Sequence, residues 1–343
     1  MRPRLYKRPA AGLVACRGPV HRTTVVLTAA VGLIAAWVSV APSAAGSAAA
    51  APATALVVSA PAAAATGYRL LGGDGGVFSF AAAFFGASTP AQCAPGDRVM
   101  PNGACWAMAS TPDGGGYWIL NASSGVIDAH GDAVSYGDPA QRYANVPRDL
   151  LGADIGIVPT PSGHGYWVLR HDLSDLGGVD AYGDAVLYGD EYAQQTQAGP
   201  GHVGHPVAMA ATPTGHGYWI VDSDGGVFAF GDAGFYGSMG GRALNAQIVG
   251  VAATPDGRGY WLAADDGGLF AFGDARFAGS MAGARLAGQV VGIAANPSGL
   301  GYWLAAADGG VFALGGAPFL GSVGSTTLAR PILAITAQPG ATP

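Results

Sequence analysis

One phrase recurs along this chain and sets most of what the chain can fold into. Residues 217–238 read GYWIVDSDGGVFAFGDAGFYGS, and residues 259–280 read GYWLAADDGGLFAFGDARFAGS. The anchoring tyrosines are Tyr68, Tyr117, Tyr166, Tyr218, Tyr260 and Tyr302, separated by 49, 49, 52, 42 and 42 residues. A unit of this length cannot bury an apolar face alone, so units must pack against one another.

Within the unit that begins at Ile248, four apolar runs alternate with turn residues. IVGVAATP, YWLAA, LFAFG and RFAGSM are separated by DGRG, DDGG and GDA. Aromatic and β-branched runs of four to eight residues punctuated by Asp-Gly and Gly-Gly are hairpin signals. Each unit therefore predicts a four-stranded antiparallel blade, and the six units predict an all-β, six-bladed β-propeller. Gly and Ala in the first run (VGVAA, VGIAA, AMAA) suit an inner strand where blades crowd the axis. The first unit starts at Gly67-Tyr68 without that run, and the tail PILAITAQPGATP supplies its counterpart. The expectation is that the C-terminal strand enters the first blade and closes the ring.

The first residues read differently. Arg2, Arg4, Lys7, Arg8, Arg17 and Arg22 precede the apolar run Val25–Val40, and small residues with cleavage options near Ala45 or Ala50 follow. This pattern is that of a secretory signal over residues 1–45. An uncleaved anchor is the alternative, although 16 residues fall short of the ~20 that a span needs. Cys16 ends a superficial lipoprotein match whose apolar stretch is too short. Residues 46–66, rich in Ala and Pro, read as a linker to the repeat domain of residues 67–343. Loss of the leader leaves ten basic against 22 acidic residues, a net charge of −12, and no lysine. Such a surface repels phosphate backbones, which argues against nucleic acid as a partner. The expected protein is extracellular or cell-wall associated, monomeric and, once the signal is removed, not a membrane protein. Cys93 and Cys105 remain as an even pair in an oxidising compartment and are expected to form a disulfide.

The phrase GYWLxxxDGGVFAFGDAxFxGS resembles the repeat of a family of secreted actinobacterial proteins, some of which carry it beside cell-wall hydrolase or peptidase modules. The resemblance covers residues 67–343. It implies a β-propeller-like domain and an envelope setting, and it carries no general activity. Departures fall at the edges: GDA becomes Ala81-Ala82-Ala83 in the first unit and Gly315-Gly316-Ala317 in the last, and GYW becomes Gly67-Tyr68-Arg69 in the first.

Most chemistry-bearing residues are absorbed by the repeat. Asp74, Asp224, Asp266 and Asp308 sit in DGG turns, where Asp-Gly suits a tight hairpin better than it argues for calcium. The Asp of GDA (Asp132, Asp184, Asp232, Asp274) reads as an Asx-type turn former. Trp118, Trp167, Trp219, Trp261 and Trp303 read as inter-blade core rather than sugar platforms, because the turn residue beside each varies (Gly115, His164, His216, Arg258, Leu300). Departures say more. Where later units have Phe228-x-Phe230 and Phe270-x-Phe272, the second has Asp128-x-His130 and the third Asp180-x-Tyr182. Insertions cluster at Pro90–Cys105, Gln141–Ala153, Arg170–Leu176 and Ala193–Pro206, on the rim of the DGG turns. Loops on a rigid scaffold are where binding sits. Asp128, His130, Asp180, Tyr182, Asp190 and Glu191 are thus the ligand-binding candidates, with no catalytic residue, metal site or cofactor expected. The functional reading is a non-catalytic binding module for an extracellular glycan or protein. The alternative is a propeller glycosidase or lyase, which requires paired carboxylates at a set separation.

Overall fold

The computed structural model describes residues 57–58, 67–88, 106–122, 124–146, 152–171, 176–191 and 204–338. The leader, most of the linker, Cys93 and Cys105 lie outside these residues. The described chain forms six sheets arranged like propeller blades. Sheet one joins β2 (Gly67–Gly72) and β3 (Val77–Phe80) to β19 (Ile332–Gln338), and β1 (Val57–Val58) runs parallel to β3. The other five each contain three consecutive antiparallel strands. They are β4 (Trp106–Ser110), β5 (Gly116–Asn121) and β6 (Ile127–Gly131), then β7 (Ala153–Pro159), β8 (Gly165–His171) and β9 (Gly177–Gly183). β10 (Pro206–Ala211), β11 (Gly217–Asp222) and β12 (Val227–Gly231) follow. The last two are β13 (Ile248–Ala253), β14 (Gly259–Ala264) and β15 (Leu269–Gly273), then β16 (Val290–Ala295), β17 (Gly301–Ala306) and β18 (Val311–Gly315).

The GYW strand is the middle strand and is fully covered. Each tryptophan packs, tilted, against the tyrosine of the next blade: Trp118 on Tyr166 at 5.5 Å, Trp167 on Tyr218 at 5.6 Å, Trp219 on Tyr260 at 5.6 Å, Trp261 on Tyr302 at 5.5 Å and Trp303 on Tyr68 at 5.3 Å. All five indoles have no exposed surface, which removes them as sugar platforms. At the sixth position Arg69 takes the tryptophan's place. Its Nε donates to Ala83 O at 3.0 Å, as the indoles donate to their own outer segments, and its guanidinium lies 5.0 Å from the Tyr117 ring. Burial pushes the Arg69 pKa down to about 10, against the pull of Tyr117 and Asp132.

The expected fourth strand differs. The RFAGSM run and its counterparts make no ladder in the described sheets. Their backbone groups are bonded instead by side chains of two blades. Trp261 Nε1 donates to Arg276 O at 2.8 Å, while the Tyr302 hydroxyl accepts from Ala278 N and donates to Gly279 O. Because buried backbone groups need partners but not ladder partners, the run stays extended without becoming a strand. Glycine is required where it meets the next blade. Gly189, at φ 129°, lies flat on Phe230, where a Cβ would stand 2.9 Å from the ring.

The turn aspartates divide into two classes. The DGG carboxylates close their own turns, as in Gly226 N to Asp224 Oδ1 at 2.8 Å and Gly268 N to Asp266 Oδ1 at 2.8 Å. The GDA carboxylates do not act as expected. Asp232 accepts from Thr212 at 2.9 Å and Thr214 at 2.6 Å, so it ties the end of the third strand to the turn after the first.

Candidate functional site

The structure separates the two polar departures from the repeat. Asp128 accepts from Ser88 Oγ at 2.6 Å. His130 packs 5.3 Å from the Tyr117 ring and beneath Gly86, the position that Phe230 occupies beneath Gly189. Tyr182 holds the same position beneath Gly137 and lies 5.6 Å from Tyr166. His130 and Tyr182 are therefore inter-blade packing residues rather than an open polar face. Burial lowers the His130 pKa against the opposing charge of Asp128, which keeps the ring neutral at neutral pH. Burial, with the Asp180 charge second, drives the Tyr182 hydroxyl far above its ordinary range. That hydroxyl is buried and has no hydrogen-bond partner among the described residues.

Asp180 is where two insertions meet. Pro139–Arg142 forms a short helix, α1, capped by Asp138, which accepts from Gln141 N at 2.7 Å. It delivers Arg142 and Tyr143 over β9. The Tyr143 hydroxyl donates to Asp180 Oδ1 at 2.7 Å, Arg170 Nη1 donates to Oδ2 at 2.9 Å, and Arg142 Nε stands 3.6 Å from Oδ1. The Arg170 guanidinium also lies 5.0 Å from the Tyr143 ring, and that of Arg142 lies 5.7 Å from Tyr182. Burial alone would lower the Arg170 pKa, but Asp180, Tyr143 and Asp154 together carry it above its ordinary value. A buried carboxylate persists when charge-assisted bonds replace its water. Here those bonds also order a surface built from both insertions.

Glu191 and Asp222 form a second cluster, at the junction of blades three and four, and both are fully buried. Glu191 Oε2 accepts from Gly177 N at 2.8 Å. Burial, followed by the charge and hydrogen bond of Glu191, raises the Asp222 pKa to about 9. Burial and the neighbouring charge thus favour the protonated form of Asp222. Nearby, His171 and His205 stack at 5.4 Å, and His205 Nδ1 lies 3.1 Å from Ser223 Oγ. In the sequence Asp222 reads only as extra acidity beside a turn. Its pairing with Glu191 crosses two blades and has no local signal. Asp190 is half-buried beside Glu191. No group of three or more His, Cys, Asp or Glu among the described residues is arranged to hold a metal. Parts of all four insertions, residues 89–105, 147–151, 172–175 and 192–203, lie outside the described residues.

No protein-family model and no curated protein matches the chain. Among solved structures, the chain is similar to one in the crystal structure of a nidogen/laminin complex, at 11% identity and a TM-score of 0.49, over 81% of this chain and 100% of that one. It is also similar to the Cps50 (Swd1) β-propeller domain of Myceliophteria thermophila, at 10% identity and a TM-score of 0.38, over 67% of this chain and 71% of that one. At these scores the blade assignment rests on strand pairing and packing.

Proposed function

We propose that this chain is a secreted, monomeric binding module of the cell envelope, allied to the actinobacterial repeat proteins that it resembles. Its six blades form a closed ring, and its loop-elaborated rim holds an extracellular glycan or protein. The pairing of β19 with β2 and the packing of Trp303 against Tyr68 support closure. The outer run, held by tryptophan and tyrosine side chains in five units and by Arg69 and Tyr117 in the first, takes the fourth strand's role.

The observation that carries the binding reading is the convergence of Arg142 and Tyr143 from one insertion with Arg170 from another on Asp180. The plain units fold without such additions, so the core does not require them, and ordered loops on a rigid frame suit recognition. The non-catalytic part of the reading rests on the carboxyls. Glycosidases hold theirs at least about 5 Å apart around the scissile bond. Glu191 and Asp222 are fully buried and shut off from any saccharide chain. A glycan array beside a pull-down on purified peptidoglycan tests the reading. Retention on one of these or on an envelope protein is expected. Turnover of a polysaccharide substrate would favour the hydrolase instead.

A further inference from the structure

Between the turn after β11 and the connection into β13, the rim holds a shallow pocket of about 270 Å³, lined by Ser223, Asp224, Arg242, Leu244, Asn245 and Gln247. It borders the Ala193–Pro206 insertion, whose His205 bonds Ser223 and whose Gly204 lies against Asp224. Half of this lining belongs to the repeat. Asp224 closes its turn as Asp266 does, and Leu244 packs on the core as Leu286 and Leu328 do. Gln247 O accepts from Asp265 N as Gln289 O accepts from Ala307 N. Arg242 and Asn245 are different. The corresponding residues are Ala284 and Ala287 in the next unit, and Thr326 and Ala329 in the last. Both are exposed, and Arg242 makes no ion pair within 4.0 Å among the described residues. Two polar side chains thus stand on a frame that folds without them.

The lining chemistry selects the ligand. A guanidinium, two carboxamides and the Asp224 oxygen not used by its turn offer interleaved donors and acceptors, while the Ser223 hydroxyl is taken by His205. That arrangement matches vicinal hydroxyls, while Leu244 offers an apolar patch to a ring face. The volume is below the range of about 300–1,000 Å³ typical for drug-sized ligands, which fits one sugar ring rather than a peptide. An anionic ring would meet Asp224 and the net charge of −12 on the chain without its leader. We propose that this pocket is a subsite for a single neutral sugar ring of an extracellular glycan. The proposal rests on the glycan arm of the binding reading.

Saturation-transfer NMR on the full secreted chain tests it, with methyl α-glucopyranoside, methyl α-mannopyranoside and N-acetylglucosamine as probes and glucuronate as the acidic control. At least one neutral probe is expected to receive saturation. The Arg242→Ala/Asn245→Ala variant should bind it at least about tenfold more weakly, the loss expected for removing charge-assisted and neutral hydrogen bonds together. Its melting should be unchanged, because the next unit already carries alanine at both positions. Grafting the pair into that unit, as Ala284→Arg/Ala287→Asn, should add a second site. The proposal falls if no neutral probe is saturated, if only glucuronate is, or if the double variant binds like the parent. If the double variant binds like the parent while replacing the four insertions still abolishes retention on peptidoglycan, the subsite is wrong and the rim reading stands.

Discussion

Truncation after Arg330 removes β19 and strips sheet one of its inner strand. The structure sets the size of the effect. Ile332, Leu333 and Ile335 are buried, with exposures of 0%, 8% and 9%. Their loss from the interior costs roughly 5–9 kcal/mol at about 1.5–3 kcal/mol per aliphatic side chain, an upper estimate because unfolded chains are partly collapsed. The ladder to Gly67–Gly72 goes too, along with the bond from Arg69 Nη2 to Gln338 at 3.0 Å and that from Thr336 to Ser110 at 3.3 Å. Whole domains are stable by only about 5–15 kcal/mol, so the truncated chain should be marginal or unfolded at room temperature. A gentler version, Ile332→Ala, should cost about 2–5 kcal/mol and lower the melting midpoint by several degrees. Circular dichroism melts with hydrogen exchange measure both. A truncated chain with the parent's midpoint and full amide protection in Gly67–Phe80 would show that β19 does not hold sheet one.

Three further outcomes follow from buried charge. Asp222 has a folded pKa of about 9 against an ordinary 3.8, so the folded chain holds a proton that the unfolded chain releases across that window. Its contribution is fully present below about pH 4 and is lost as pH rises through about 9; Asp222→Asn should flatten this fall, and urea midpoints at about pH 5 and about pH 8.5 check it. Arg69→Ala removes the donor to Ala83 O, Gly114 O and Gln338, and one of two to Ser110, and should cost at least about 3 kcal/mol. Arg69→Trp, which restores the repeat's donor, should cost less by denaturant titration, and equal losses would count against the tryptophan analogy. Asp180→Ala strands Arg170 and Tyr143, so exchange should rise in Pro139–Val146 while sheets four to six keep their protection; unchanged exchange there would contradict the anchoring role.

The fold was legible because the period and the two-residue alternation are local. LFAFG and YWLAA read as strands from their own residues, and the DGG aspartates close turns two residues away. The fourth run misled because its apolar alternation resembles a strand, while its real partners are an indole 15 residues earlier and a phenol 24 residues later. The GDA carboxylates misled for the same reason, since Thr212 lies 20 residues before Asp232. At the candidate site, Asp180 stood out as a break in the phenylalanine pattern. Its partner Tyr143 comes from 37 residues upstream, out of reach of any local rule. His130 and Tyr182 looked polar in sequence but pack as rings, because an aromatic face fills the space under Gly86 and Gly137 whatever its polar atom.

On the proposed function, the elaborated rim binds an envelope ligand. Replacing Pro90–Cys105, Gln141–Ala153, Arg170–Leu176 and Ala193–Pro206 with short connections copied from Ala282–Gly288 tests it most directly. Retention on purified peptidoglycan and on an envelope protein fraction would be measured beside thermal melting. A folded chain without retention is expected, its midpoint lowered by the loss of Asp180's partners. Full retention by the folded, loop-replaced chain would contradict it.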